Sequence, residues 1–324
     1  MQKMTVQEIL QKGSGYAVSG IFLLTDKSLR PFRGKSGNFL QFNLKDKTGI
    51  VSCKIWNNAE AIDAKIERDN VVFAEGSTSL YEGNIQLIIE RLEPCNNFVL
   101  EDLVEFSEHN LDEMLSDLKK IVTRHVTKNT LLSDIVEYFF SDQSMIRNFK
   151  ICPGGVGSVH HAFFGGLLEH TLSVVETCLT LSNKYHRAGI RKDILMVGAL
   201  FHDIGKMEAY QFDSVPKMTT RGRLLGHLPL GFALFRDILY SNCEGYPDKE
   251  IIKIEQDIGH LILSHHGKFE YETCRLPMCI EAIVLYNADK QDSDITRVDN
   301  ITQGIEEGGW TPFDSLTKRL YYKG

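Results

Sequence analysis

The sequence predicts a multidomain β + α protein, a small β-barrel followed by a nearly all-α second half. Two patterns carry this expectation. The first hundred residues hold short β-rich runs separated by turn residues, and beyond Glu93-Pro94 the apolar period becomes helical. Length agrees, since 324 residues are comfortable for two domains.

The expected strands are Tyr16–Leu23, Asn38–Leu44, Val51–Trp56, Val71–Glu75 and Asn84–Glu90. Turn chemistry lies between them at Lys45-Asp46-Lys47-Thr48-Gly49 and Tyr81-Glu82-Gly83-Asn84. A helix over Ala59–Arg68 falls between the third and fourth strands. Five strands with a helix in that place suggest a Greek-key barrel of the OB type over residues 1–95.

Strand alternation sorts the two faces. Val51, Cys53 and Ile55 point inward with Leu40, Phe42 and Leu44, which leaves Phe39, Gln41, Ser52, Lys54 and Trp56 outside. Barrels of this type commonly bind single strands by stacking bases on aromatics in a basic groove. Phe39 and Trp56 are the stacking candidates and Lys54 a phosphate contact. Lys27, Arg30, Arg33 and Lys35 cluster within nine residues, in the expected loop between the first two strands. The bland alternative stays open for each of them: a charged loop is often only solvated, and an exposed ring can cover an edge.

In the second half, Leu111, Met114, Leu115 and Leu118 stand at i, i+3, i+4 and i+7, one face of a helix. Residues 96–157 read as an acidic helical connector that packs on a domain spanning 158–324. Helices are expected at 168–186, 192–204, 226–240, 250–265 and 277–290. The closing segment Trp310–Tyr322, with Trp310, Phe313, Leu316, Leu320 and Tyr321, fits an interface or its own domain equally.

Composition bounds the function classes. Hydrophobic residues at 43% and charged residues at 24% give a globular balance. No stretch approaches the roughly 18 unbroken apolar residues of a membrane helix, and Met1–Leu10 has no apolar signal core. Cys53, Cys95, Cys152, Cys178, Cys243, Cys274 and Cys279 form no Cys-x-x-Cys pair and read as reduced thiols, so a cytoplasmic location is expected. The net charge of −7 argues against wholesale electrostatic binding to nucleic acid. The first hundred residues, however, carry 12 Lys and Arg against 11 Asp and Glu, and the remainder 24 against 32. An acidic second half suits a cation site.

That half carries an ordered set of metal-ligand residue types: His170, His202-Asp203, His227, His265-His266 and Asp289, each on or at the end of a separate expected helix. A helical bundle can aim them all at one place. Imidazole and carboxylate together suit Mn, Fe, Co, Ni or Zn. Adjacent His202 and Asp203 can both bind when the helix ends there, and Gly205 supplies such an end. Asp203 has two oxygens and can bridge two ions, which is the arrangement that clamps both oxygens of a phosphoryl transfer. Lys206, one turn on, could neutralise charge on a phosphate oxygen. A lone histidine on an apolar helix is more often a satisfied core residue. His260 reads that way, whereas five motifs in fixed order do not.

The order His … His-Asp … His … His-His … Asp, with Gly-Leu-Leu-Glu-His-Thr before it and Ile-Gly-Lys after His-Asp, resembles the HD superfamily of metal-dependent phosphohydrolases over residues 158–292. The resemblance implies one metal on His170, His202, Asp203 and Asp289. It implies a second on His227, His265 and His266, sharing Asp203. Gly245-Tyr246-Pro247 spells the signature of cyclic-dinucleotide enzymes of that superfamily, but it precedes the paired histidines instead of following them and reads as a loop.

An OB domain ahead of an HD domain at this length is similar to the YhaM family of bacterial 3′-to-5′ exoribonucleases. The stretch from Ser158 to Thr171 is very like that family's entry to the HD domain. The resemblance implies manganese-type cations (with Fe, Co or Ni as substitutes), one or two per chain, and release of nucleoside 5′-monophosphates from single-stranded RNA, in some members DNA. It also implies a homo-oligomer without a membrane. Asp203 and Lys206 would then be catalytic, and His160 and His161 near the substrate or simply packed. Two alternatives remain: a phosphohydrolase of free nucleotides or cyclic dinucleotides, and a non-catalytic nucleic-acid-binding protein with a degenerate HD fold.

Overall fold

The computed structural model describes residues 4–32, 34, 36–67, 70–155, 163–212, 216–314 and 317–324. The chain forms two compact units, Met1–Glu105 and Phe106–Gly324.

The first unit is a closed five-stranded barrel in the order β1-β2-β3-β5-β4. Its strands are β1 (Ala17–Pro31), β2 (Asn38–Asp46), β3 (Gly49–Ile55), β4 (Val71–Tyr81) and β5 (Asn84–Pro94). All neighbours are antiparallel except β3 and β5. This is the expected OB arrangement. Helix α1 (Val6–Leu10) adds Val6 and Ile9 to the barrel core. The Val6 amide donates to buried Asp46 Oδ2 at 2.8 Å, and the Thr48 amide and hydroxyl donate to Oδ1. The two-residue turn Glu82-Gly83 has positive φ at both positions, the backbone that matches strand twist in a tight hairpin.

Two elements differ from expectation. β1 runs on to Pro31 because one strand serves two neighbours. Its first half pairs with β4, and its second pairs with β2 through an irregularity at Thr25–Ser28, where Asp26 takes φ +50°. Lys27 and Arg30 therefore lie in a strand, not in the loop assigned to them. Helix α2 (Ala59–Asp63) is shorter than Ala59–Arg68. It ends where Lys27 Nζ takes up the carbonyls of Asp63 and Ile66 at 2.8 and 2.5 Å, as a cation does at a helix C-terminus.

The second unit is helical: α3 (Leu111–His125), α4 (Leu131–Ser141), α5 (Gln143–Ile151), α6 (Gly166–Lys184), α7 (Lys192–Phe201), α8 (Lys206–Ala209), α9 (Thr220–Leu225), α10 (His227–Ser241), α11 (Asp248–Ser264) and α12 (Ile280–Thr302). Residues Ile194–Phe201 of α7 are all buried, so this helix is apolar all round and sits in the core. Met114, Leu118, Phe139 and Phe149 of α3–α5 share that core with α6, α7 and α10–α12. The Phe139 ring meets Phe149 and Phe201 edge-on, each at 5.3 Å between centroids. α12 continues twelve residues past its expected end at 290, where its polar stretch is held by Lys290–Asp294 and Arg297–Asp314 pairs. Gly245-Tyr246-Pro247 is a loop between α10 and α11, its tyrosine donating to Asp134 Oδ2 at 2.7 Å. His260 Nε2 accepts from the Met278 amide, the satisfied histidine the sequence suggests. Near the end of the chain, Trp310 pairs with Tyr322. Trp310, Phe313 and Leu320 remain exposed, and Leu316 lies outside the described residues. Among the described residues no helix is long and apolar enough to cross a membrane.

Because α4 and α7 meet through Phe139 and Phe201, Phe139→Ala should cost about 3–5 kcal/mol of stability of the helical unit. Chemical denaturation followed by far-UV circular dichroism measures this. A cost within ±0.5 kcal/mol would show that α3–α5 are not part of that core.

Candidate metal centre and nucleic-acid interface

Each ligand candidate is delivered by a helix end or an inward helix face. α7 ends at Phe201, and His202 caps it in right-handed conformation. Gly205 does not end the helix as expected; its φ is −65°. Its role is close approach, since a Cβ there would run into the His227 carbonyl and the Gly231 backbone of α10. That contact holds the start of α10, with His227, against the His202-Asp203 turn. α6 contributes His170, α12 contributes Asp289, and the end of α11 contributes His265 and His266.

The side chains gather into two nests, His170–His202–Asp203 and His227–His265–His266. Asp203 serves both. Its Oδ2 lies 3.3 Å from His170 Nε2 and 3.4 Å from His202 Nε2, and its Oδ1 lies 3.3 Å from His227 Nε2 and 3.5 Å from His265 Nε2. Asp289 Oδ1 joins the first nest at 3.2 Å from His170 Nε2. His170, His202, Asp203 and His265 are buried, and His227 and His266 are half-buried.

Tautomers follow from what the other ring nitrogens face. The Nδ1 atoms of His202, His265 and His266 lie 2.8, 2.9 and 2.6 Å from the carbonyls of Ala199, Ile262 and Tyr271. A nitrogen facing a carbonyl carries the hydrogen, so in neutral rings each Nε2 presents a bare lone pair to the nest. His170 and His202 Nε2 stand 3.1 Å apart, and His227 and His266 Nε2 3.2 Å apart. Lone pairs converging at such distances, around an Asp203 Oδ1 buried without a hydrogen-bond donor among the described residues, fit an intervening cation. The residues present therefore suit a divalent metal and could hold two.

The charge states of the rings differ, and a cation in the first nest would replace the proton that its carboxylates favour on His170. Burial disfavours charge on His170, yet Asp203, Asp289 and Asp292 converge on it and raise its pKa well above the usual imidazole range. Burial holds His265 below that range and pushes His266 down to about 3, so both stay neutral ligands. Burial opposes ionisation of Asp203, but Lys206 and the imidazoles hold its carboxyl well below the usual carboxylate range.

Some expectations need correction or completion. Lys206 is buried with Nζ 2.5 Å from Asp203 Oδ2. It is the counter-ion of that carboxylate and not a free phosphate contact. Asp292 was missed. It accepts from His170 Nδ1 at 2.7 Å and from the Ser173 hydroxyl, the carboxylate–histidine pairing that orients a ligand ring. The available signal was its position one turn after Asp289. His160 and His161 lie outside the described residues.

On the barrel, Phe39 and Trp56 lie 5.1 Å apart, and Phe32 joins them at 5.6 and 6.0 Å. Trp56 is 37% exposed. Lys54 Nζ sits 5.6 Å from the Trp56 ring and 4.3 Å from the Tyr81 ring. Phe32 and Tyr81 extend the predicted set. Lys27 leaves it, because the Asp63 carboxylate and the Asp63 and Ile66 carbonyls occupy its ammonium. Arg30 is exposed beside Ser28, and Arg33 and Lys35 lie outside the described residues.

A barrel of this topology followed by a helical unit with this ligand set is the arrangement of an OB-fold domain ahead of an HD domain. Comparison with known proteins agrees: residues 167–294 match the HD domain model, and residues 23–95 match an OB-fold nucleic acid binding domain. The chain is similar to the 3′-5′ exoribonuclease YhaM of Bacillus subtilis, 25% identical over 306 residues and covering 93% of each chain, so the resemblance to the YhaM family holds nearly end to end. Among solved structures, a replication protein A heterotrimer bound to ssDNA matches 30% of this chain and 81% of its own at 12% identity and TM-score 0.24. The second OB-fold domain of replication protein A from Methanococcus maripaludis matches 30% and 99% at 14% identity and TM-score 0.23.

Metal-stripped protein titrated with Mn²⁺ should bind two ions per chain by calorimetry, and His266→Ala should bind one. Asp292→Asn should weaken one of the two sites by about 10–100-fold, the usual effect of losing a partner that orients a ligand. Two undisturbed sites in His266→Ala would overturn the division into nests.

Proposed function

We propose that the protein is a metal-dependent 3′-to-5′ exonuclease that shortens single-stranded RNA, and also single-stranded DNA, to nucleoside 5′-monophosphates. The observation that carries the reading is the Asp203 carboxylate, with one oxygen in each nest. That arrangement suits hydrolysis of a phosphodiester, and the end-to-end similarity to an exoribonuclease supplies the substrate class. The barrel's cluster of exposed Trp56 with part-buried Phe32 and Phe39 favours a strand over a free nucleotide.

In this reading His170, His202, Asp203 and Asp289 hold one ion and His227, His265 and His266 the other. Manganese is the preferred metal, in keeping with mixed nitrogen and oxygen donors. Such ions would lower the pKa of an attacking water and neutralise charge on the phosphodiester. Asp203 keeps both nests at a set separation. Lys206 keeps Asp203 ionised and oriented, and Asp292 keeps His170 in the tautomer that ligates. Phe32, Phe39 and Trp56 grip the strand by stacking, while Lys54 faces its phosphates. The unpaired cysteines support a reducing, cytoplasmic setting. The family resemblance supports a homo-oligomer.

A 5′-labelled single-stranded RNA should shorten stepwise from its 3′ end with Mn²⁺ and stay intact without it. Asp203→Ala should abolish shortening but retain strand binding. Trp56→Ala should do the converse, costing about 1–3 kcal/mol of binding with the metal content unchanged. An RNA left intact by the unaltered protein under every divalent cation would end the exonuclease reading.

A further inference from the structure

The turn that follows the paired histidines presents side chains that the metal nests do not use. After His266 the chain bends at Gly267, whose φ is +74° and where a Cβ would meet the Tyr286 ring. It then makes one 3-10 turn, Phe269–Tyr271. The turn is pinned to the metal centre through its backbone, because His266 Nδ1 donates to the Tyr271 carbonyl at 2.6 Å. One imidazole thus separates the turn from the second nest. Its two rings are left open to solvent: Phe269 is 64% and Tyr271 46% exposed. Lys268 Nζ lies 5.6 Å from the Tyr271 ring centroid and 3.3 Å from Glu270, an exposed pair weak enough to exchange for a phosphate.

Single exposed rings need no explanation. Two rings and a lysine within four residues, on a turn fixed to a metal ligand, are a different arrangement. We propose that Lys268–Tyr271 is the platform for the terminal nucleotide of the strand, with Phe269 and Tyr271 stacking on its base and Lys268 meeting its backbone. This rests on the exonuclease reading above. The chemistry fits an enzyme that must accept every base in turn. Stacking is tolerant of base identity because every base has a π-face, whereas a hydrogen-bonded pocket would select one base. The fixed backbone carbonyl means that changing either ring leaves the ligand orientation intact.

The test uses the full chain with two single-stranded RNAs, one of natural sequence and one lacking only the base of its 3′-terminal nucleotide. The unaltered protein should show a KM for the abasic strand higher by about 5- to 150-fold, the range that loss of one stacked base gives. Phe269→Ala and Tyr271→Ala should raise KM for the natural strand toward the abasic value and erase the ratio. Bound manganese should stay at the unaltered level in both. Tyr271→Phe, which keeps the ring, should keep the ratio. An undiminished ratio in both alanine variants would overturn the platform while leaving the exonuclease intact. So would a loss of bound manganese that accounts for the lost activity. If the unaltered protein shortens neither strand, the exonuclease reading itself fails and the platform with it.

Discussion

A buried carboxylate organises the helical unit. Asp203 is 2% exposed, and an isolated charge at such a site would be expelled from the fold or neutralised. It persists because Lys206 and four imidazoles surround it, and because burial without good partners costs more than any single pair returns. His170, His227 and His265 come from α6, the start of α10 and the end of α11, so these helices must converge for the carboxylate to be tolerated. The buried apolar run Ile194–Phe201 of α7 is the device that drives Asp203 inward. The bare backbones of Gly205 and Gly231 let α10 close upon it.

One local solution is used twice. His202 follows the last residue of α7, and His265 the last residue of α11. Both place Nδ1 on the carbonyl three residues back, at Ala199 and Ile262. The final carbonyls of a helix have no partner within it. An imidazole that satisfies one of them is held in a single tautomer with Nε2 aimed past the helix end. The next residue, Asp203 or His266, then starts a turn and can face the same cavity. The His-Asp and His-His dipeptides are thus the same structural device with different second ligands, which explains why each sits where a helix stops.

This is also why the candidate ligand set could be picked out from the sequence and its surroundings could not. His170, His202, Asp203, His227, His265, His266 and Asp289 announce themselves by residue type, on or at the ends of successive helices. The inward faces of β2 and β3 were legible because Leu40, Phe42 and Leu44 alternate as Val51, Cys53 and Ile55 do, all of them buried. Features that depend on distant partners were not. Lys27 reads as a solvated charge until α2 brings two carbonyls to it, 36 and 39 residues away. Asp292 lies 122 residues from His170 in sequence and looks like another acid on a polar helix. Tyr271 holds His266 through its carbonyl, a group every residue possesses, so no side-chain signal could mark it. Lys206 was legible as important, but its direction depends on Asp203 alone.

The charge distribution then constrains how such a protein can handle a polyanion. Residues 101–324 carry 24 basic against 32 acidic side chains, and their deepest cluster contains Asp203, Asp289 and Asp292. A nucleic-acid strand gains no general attraction from that unit. Favourable terms must come from cations held locally among the histidines and from contacts that do not depend on charge. In the proposed reading aromatic rings supply the second kind, on the barrel at exposed Trp56 with part-buried Phe32 and Phe39, and beside the paired histidines at exposed Phe269 and Tyr271. Stacking is far less screened by salt than phosphate pairing. In the proposed function such a chain would hold single strands by their bases, and the stacked bases of a duplex offer no such faces to it.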